Sequence, residues 1–335
     1  MTSEHLSDVS SLIEPYRQEL QVHCYRLLGS LHDAEDLVQE TMLRAWQRFD
    51  TFKGSSSLRT WLYAIATHAC LDVLKKRSAR TMPMSAFPAA NPLHPIAPAT
   101  PEATWLEPFP DSWLADAIES PEARYTRHES VSLAFLIVLQ QLPPRQRATL
   151  ILSDVLDWRA SEVAHLLGIS VSAVNSLLHR ARVTMTKNYS ADKQEMEYRD
   201  HADTAISSLL NRYVHAWETD DINGLVALLK EDVTLSMPPF PSWYWGRESV
   251  REVLLSAPFG FGRSWRLYPT SANGRPAFAF YRADQSQNSY LPFAIQIITL
   301  GWSIPDGQIA DMTVFKIPLL FTYFGLPLQL SSDNS

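Results

Sequence analysis

Nine of the chain's 22 prolines fall between residues 81 and 128. A proline lacks the backbone donor and pushes the residue before it out of helical space. No helix or central strand runs through such a stretch, so it divides the 335 residues into parts that fold separately. Residues 8–80 and 129–190 carry apolar side chains at helical spacing. Residues 200–328 carry one or two helices followed by alternating, aromatic-rich strands. The expected architecture is multidomain: all-α at 8–80, a Pro-rich acidic linker at 81–128, all-α again at 129–190, and α+β at 200–328. The linker is not featureless. TWLEPFPDSWLAD sets Trp105, Leu106, Phe109, Trp113 and Leu114 in an acidic tract, and disordered linkers are poor in aromatics. Two uses fit it: a tether patch packed on a neighbouring domain, or a segment that docks into a partner's channel.

Charge narrows the function. The net charge is −7, and the only basic block is 129–190, with six Lys/Arg against four Asp/Glu. Sequence-independent DNA affinity scales with the phosphates neutralised, so this chain alone is expected to bind DNA weakly. No apolar run reaches the roughly 18 residues of a membrane span, and the N-terminal MTSEHLSDVS lacks the basic start of a secretory signal. Two cysteines, Cys24 and Cys70, sit at apolar helical positions, which predicts a reduced, cytoplasmic protein. His23, Cys24, His68 and Cys70 match no finger spacing, so core packing is expected there, with no metal and no cofactor.

DWRASEVAHLLGISVSAVNSLLHRAR, residues 157–182, has helix-turn-helix spacing. Ala164 is small where two helices cross. Gly168 supplies the left-handed turn residue, and Ser170 is a ready N-cap. Leu166, Leu167, Ile169, Val174, Leu177 and Leu178 form the expected core. The second helix then exposes Val171, Ser172, Asn175, Ser176, His179 and Arg180, a face suited to a major groove. An ordinary αα-hairpin is the alternative.

DAEDLVQETMLRAW, residues 33–46, places Asp33, Asp36 and Glu40 on one helix face and Leu37, Val38, Met42, Ala45 and Trp46 toward a core. By itself the acidic face reads as a solvated one that favours the helix dipole. FDTFKGSSSLRTWLYAIATHACLDVLKKR follows: an aromatic, polar loop, then a helix. Its expected buried stripe is Trp61, Leu62, Ile65, Ala69 and Val73, with Arg59, Lys75, Lys76 and Arg77 as basic ends. An aromatic loop beside basic residues suits unstacked bases.

These two stretches resemble region two, and QLPPRQRATLILSDVLDWRASEVAHLLGISVSAVNSLLHRARVTM resembles region four, of the extracytoplasmic-function sigma factors of bacterial RNA polymerase. The resemblance implies a subunit that directs core polymerase to promoter DNA and is not an enzyme. It implies core-polymerase contacts at Asp33, Asp36, Gln39 and Glu40. It implies minus-ten recognition and melting at Phe52, Lys53, Ser56, Arg59, Thr60 and His68. Many relatives have Arg-Asn where this chain has Thr67-His68, so base preference there is expected to differ. The minus-thirty-five element falls to Ser170, Val171, Ser172, Asn175, Ser176, His179 and Arg180. The acidic linker is expected to thread toward the polymerase's RNA exit path. An anti-sigma partner is left open.

The region after residue 200 reads as helix, turn, helix, strand, a loop, a short helix from Arg247, and strands at 265–271, 276–282, 291–302 and 308–315. This order resembles the SnoaL-like α+β cone. MPPFPSWYWGRESV, ANGRPAFAFYR and LFTYFGLPLQL, with the linker WLEPFPD, resemble the SigG-like subgroup of sigma factors that carry such a tail. The resemblance implies an aromatic-lined pocket, and a full extra domain on such a factor is expected to regulate the sigma core in cis by sensing a small-molecule ligand. Its expected lining is Tyr213, Trp217, Trp245 and Trp302, with Trp243, Tyr244, Phe259 and Phe280 as further aromatics. Acid/base candidates are Asp232, His215 and Asp311, and no pair has a spacing that demands catalysis. An apolar core with surface carboxylates is the expectation. The alternatives are a tail that works as an isomerase, cyclase or hydrolase, and a stand-alone DNA-binding regulator.

Overall fold

The computed structural model describes residues 9–52, 54, 56–100, 105–114, 129–189, 203–256, 258–259, 264–284, 286, 288–301 and 307–331. They form two compact units. One is helical and comprises Met1–Arg80, Leu106–Phe109 and Trp113–Ser190; the other is α+β and comprises Thr81–Trp105, Pro110–Ser112 and Ala191–Ser335.

In the helical unit, α1 (Arg17–Leu28), α2 (Leu31–Arg48) and α3 (Leu58–Leu74) pack around Leu20, Leu27, Val38, Leu62 and Ala66, all fully buried. Burying each leucine contributes about 2 kcal/mol. α1 stops at Gly29, which has φ +70°, and a Cβ there would lie 2.5 Å from a Leu106 methyl. Ser30 caps α2 by accepting from the Asp33 N–H, and Ser57 caps α3 by accepting from the Thr60 N–H. The buried face of α3 is Leu62, Tyr63, Ala66, Thr67, Ala69, Cys70 and Leu71. Trp61, Ile65 and Val73, expected in the core, are only half-buried. A helix whose apolar residues surround it gives no stripe to choose from, and the packing of α1 selects the face that carries Thr67. Thr67 is fully buried, with its hydroxyl 2.8 Å from His23 Nε2. Burial, with Arg26 and Arg59 nearby, lowers the His23 pKa to about 3. Cys24 and Cys70 are buried free thiols, as expected, and the described residues hold no metal-binding cluster.

α4 (Leu133–Gln141), α5 (Pro144–Leu150), α6 (Ala160–Leu167) and α7 (Val171–Asn188) complete this unit. The blocks at 8–80 and 129–190 therefore share one compact unit. Arg147 on α5 ties them. Its guanidinium donates to the Leu27 carbonyl at 2.5 Å, to Gln140 Oε1 at 2.6 Å, and to the Gln140 and Leu142 carbonyls at 2.7 and 3.2 Å.

The linker's anchors fill the protein's own cores. Leu106, Phe109 and Leu114 are buried in the helical unit, and Trp105 is buried in the α+β unit, donating to Thr100 Oγ1 at 2.8 Å. This placement fits the tether reading, because side chains this apolar bury wherever surface is within reach.

The α+β unit opens with α8 (Asp203–Glu218) and α9 (Ile222–Ala227), then β1 (Leu229–Ser236), β2 (Trp243–Trp245), α10 (Arg247–Ser256), β3 (Trp265–Ala272), β4 (Arg275–Asp284), β5 (Ser289–Gly301), β6 (Gln308–Phe315) and β7 (Leu330–Ser331). The sheet order is β2-β1-β6-β5-β4-β3, with β7 on β5; β1 and β6 run parallel and the other pairs antiparallel. The four long strands begin and end within two residues of the sequence expectation, except that residue 302 lies outside the described residues. One sheet face and the two leading helices enclose Tyr213, Trp217, Leu235, Phe278, Phe280 and Ile298.

Candidate nucleic-acid interface

The second helical block forms the expected helix-turn-helix. α6 and α7 meet at 103°, within the range of such motifs. Gly168 between them has φ +64°, and Ser170 caps α7 by accepting from the Ala173 N–H. Val163, Ala164, Leu166, Leu167, Val174, Ala181 and Met185 are buried beneath. Ile169, Leu177 and Leu178, expected fully in this core, are half-buried, and the inward turn passes through Ala181 and Met185 instead. Ser170, Val171, Ser172, Asn175, Ser176, His179 and Arg180 are all exposed. The face offers short polar side chains at the helix start and a cation two turns on, which fits base edges and then phosphate. Arg182 turns away to form a two-pronged ion pair with Asp154 at 2.7 and 3.0 Å.

The acidic helix divides its carboxylates. Asp33 is half-buried between Arg77 at 2.7 Å and Arg80 at 2.6 Å. Burial opposes its charge, but the two guanidiniums outweigh that and hold its pKa below the usual range. Asp33, expected to face outward, thus has internal partners 44 and 47 residues along the chain. Glu107 of the linker adds a carboxylate at the α2 N-terminus, accepting from the Leu31 N–H at 2.8 Å and the Ser30 hydroxyl at 3.0 Å. Asp36, Gln39 and Glu40 remain exposed. Beside them Leu43 is 53% exposed. Sequence reasoning missed Leu43, although its offset of three from Glu40 was the signal.

At the loop before α3, the rings of Phe49, Phe52 and Trp61 gather, with Phe52 and Trp61 5.2 Å apart. They are half-buried, so part of each face meets solvent. Thr60 shares a 2.8 Å bond with the Ser57 hydroxyl, Ser56 is half-buried, and His68 is exposed with Nδ1 on the Ala64 carbonyl. Arg59 is engaged inside the unit: it grips Glu19 at 2.8 Å and lies over the Tyr63 ring. Lys53 lies outside the described residues.

In the α+β unit, Trp217, Trp265, Phe280 and Phe293 line an apolar cavity of about 100 Å³. Of the expected lining, Trp217 is present, and Tyr213 sits fully buried behind it, donating to Gln296 Oε1 at 2.5 Å. Trp245 is 61% exposed on the edge strand β2, because the period-two alternation that buries Tyr244 turns its neighbours out. Trp302 lies outside the described residues. None of the acid/base candidates lines the cavity. His215 is on the exposed side of α8, and Asp232 is exposed beside Lys230. Asp311 accepts from Thr234 and Thr313 on the pleat face opposite Val314, which does line it.

Residues 12–80 match the family described as Sigma-70 region 2, and residues 133–185 match Sigma-70, region 4. The chain is 40% identical over 329 residues to the ECF RNA polymerase sigma factor SigG of Mycobacterium tuberculosis, covering 98% of this chain and 86% of that protein. It is 32% identical over 226 residues to the ECF sigma factor SigJ of the same species, covering 68% of this chain and 64% of that protein. In fold it resembles the crystal structure of Mycobacterium tuberculosis SigJ, with a TM-score of 0.54, 23% identity, and coverage of 95% of this chain and 99% of that one.

Proposed function

The chain belongs to the extracytoplasmic-function sigma factors of RNA polymerase and carries a C-terminal SnoaL-like domain; on that premise we propose how its own residues direct transcription. Sigma factors bind core polymerase and promoter DNA and are not themselves enzymes. Asp36, Gln39, Glu40 and Leu43 form the face for a basic element of core polymerase, an apolar anchor beside two carboxylates and an amide. The Phe49–Phe52–Trp61 cluster stacks unpaired bases at the minus-ten element, with His68 and Thr60 at its border. α7 reads the minus-thirty-five element from the major groove. The observation that carries this reading is the α7 face, where every expected reader is exposed above a closed core.

Weak charge explains the division of labour: polymerase supplies the phosphate grip that a chain of net charge −7 lacks. The protein acts where polymerase and DNA are, in the cytoplasm. Among the described residues no single helix is long and apolar enough to cross a membrane. The two promoter elements lie about 25 base pairs apart, roughly 85 Å at ~3.4 Å each. A compact unit of about 160 residues has a radius of gyration near ~15 Å. The helical unit must therefore open for both of its reading surfaces to engage one promoter.

The SnoaL-like domain regulates the sigma core in cis and senses a small-molecule ligand, without turnover. The test is run-off transcription with bacterial core polymerase, comparing the full chain with one ending near residue 195. Selective initiation, and a difference between the two forms, are expected. Failure of both forms to bind core overturns the sigma assignment of surfaces, and identical output from the two forms overturns cis regulation.

A further inference from the structure

We infer that the α+β cavity binds a small uncharged molecule whose polar group is a hydrogen-bond acceptor, such as a cyclic ketone, and that Ile96 of the linker is the side chain it displaces. The inference rests on the ligand-sensing reading above and adds the ligand's chemistry and the part that moves. The wall is apolar, with Trp217, Trp265, Phe280 and Phe293 in it. Moving a charged group into such surroundings costs far more than moving a carbonyl. Among the described residues no carboxylate lines the space, so nothing there meets a cation. The Lys316 ammonium is engaged over the Phe240 and Phe293 rings, 4.9 Å from each centre, and the selection does not depend on it. What selects is a pair of neutral donors. Trp217 is 5% exposed, and among the described residues its indole N–H has no acceptor at hydrogen-bonding geometry, although the Tyr213 hydroxyl is close by. That hydroxyl donates to Gln296 Oε1. Gln296 is 2% exposed, and with its oxygen taken it has the amide NH2 to present. Tyr213, beside Trp217 and bonded to Gln296, sets both donors at one end of the space. A buried donor left unpaired is costly, and a ligand oxygen removes that cost. An acceptor that carries no hydrogen of its own suits two donors, which favours a ketone, ester or ether over an alcohol or amine.

Size brings in Ile96. An apolar cavity of roughly 150 Å³ takes benzene, which allots ~25 Å³ to each carbon. At that rate the present cavity, about 100 Å³, takes about four heavy atoms, and a ring enters only if a lining side chain moves. A ligand is sensed only if it favours one arrangement of the protein over another. The sensed ligand is therefore one large enough to move the wall. Ile96 lines the cavity yet is 38% exposed, so it leaves into solvent without crossing the core. Two bonds hold its segment: Ala97 N–H donates to Ser242 Oγ at 3.3 Å, and Thr100 N–H to the Pro239 carbonyl at 3.0 Å. The Ala97 bond is long for its type and stands next to Ile96, so it opens first. Occupancy of the cavity is thereby reported to the linker.

The experiment titrates cyclopentanone, which has as many heavy atoms as benzene, into the full chain. Methylenecyclopentane is the isosteric hydrocarbon and isobutyrate the anion of similar size. Ligand-observed NMR gives affinities, and proton–nitrogen spectra follow the tryptophan indoles. Cyclopentanone should bind with millimolar affinity or better and move the Trp217 indole proton downfield, whereas methylenecyclopentane should leave it in place. Trp217→Phe keeps a ring and removes the N–H, and should lower the ratio of ketone to hydrocarbon affinity about tenfold. Ile96→Ala should tighten both ligands several-fold, and hydrogen exchange at Ala97 should rise when cyclopentanone saturates the natural chain. No binding of either neutral ligand to the natural chain or to Ile96→Ala overturns the site. An unmoved indole proton in the saturated natural chain overturns the donor assignment, and so does an unchanged ratio in a folded Trp217→Phe variant. Isobutyrate binding as tightly as cyclopentanone overturns the choice of an uncharged ligand. Unchanged affinity in Ile96→Ala, or unchanged exchange at Ala97, overturns the role of Ile96. These outcomes are separate from cis regulation: cyclopentanone binding, with identical transcription from the full and truncated chains, sinks that reading alone, and a truncation effect without binding sinks this one alone.

Discussion

Replacing Arg147 with methionine tests whether the two helical blocks are held together by one buried guanidinium. Arg147 is 2% exposed and makes four hydrogen bonds, one of them to the Leu27 carbonyl at the end of α1. Methionine keeps most of the volume and removes every donor. Three backbone carbonyls and the Gln140 amide oxygen then lose their partner, at about 1.5 kcal/mol each, or about 6 kcal/mol together. One term opposes this. Burial lowers the Arg147 pKa to about 10, so its charged form is uncomfortable there by about 3 kcal/mol, and the variant is relieved of that cost. The net expectation is a loss of about 3 kcal/mol. For a unit of this size that lowers Tm by roughly 6–12 °C, read as the helical transition in calorimetry of the full chain. Arg147→Lys, with a charge but no fork, should fall between the two. A Tm within about 2 °C of the natural chain, or above it, would refute the reasoning. It would mean that water reaches these carbonyls and that the blocks are not locked in solution.

Three further outcomes follow from the same geometry. Below pH 6.5 the unfolded chain takes up a proton that folded His23 refuses until about pH 3. The helical unit should therefore lose about 1.4 kcal/mol per pH unit across that window, about 2 kcal/mol by pH 5, and none above pH 6.5; urea melts of His23→Gln should show a flatter slope between pH 6 and 4. Leu43→Asp should weaken core-polymerase binding about tenfold while stability changes by less than about 0.5 kcal/mol, whereas Asp33→Ala should do the reverse, costing about 2 kcal/mol of stability with polymerase affinity intact; binding and melting on the same samples separate the two. Asn175→Ala should cost the holoenzyme about 1–3 kcal/mol of discrimination at one base pair of the minus-thirty-five element, and Arg180→Ala should weaken all sequences alike and reduce the salt slope by about one; promoter-variant binding at several salt concentrations distinguishes them.

The sequence by itself determined whatever depends on residues a few positions apart. Gly168 and Ser170 placed the turn and cap of the reading helix, and the 2.0 period placed four strands. It also determined which residues of α7 face outward, because the apolar residues that turn inward leave the opposite face to solvent. Tertiary structure alone decided which polar groups were already taken. Asp33 and Asp36 are alike in sequence, yet Arg77 and Arg80 hold only Asp33. Arg59 looked like a free base contact until Glu19, 40 residues away, claimed it. Trp61 read as core, but the packing of α1 chose another face of α3 to cover and left it half-buried. Local propensity acts over about one helical turn, whereas burial and pairing are settled by surfaces that meet only after folding. For the same reason the sequence suggested a pocket with Trp217 in it, but that Ile96 and Lys316, 220 positions apart, join the lining was legible only in the folded protein.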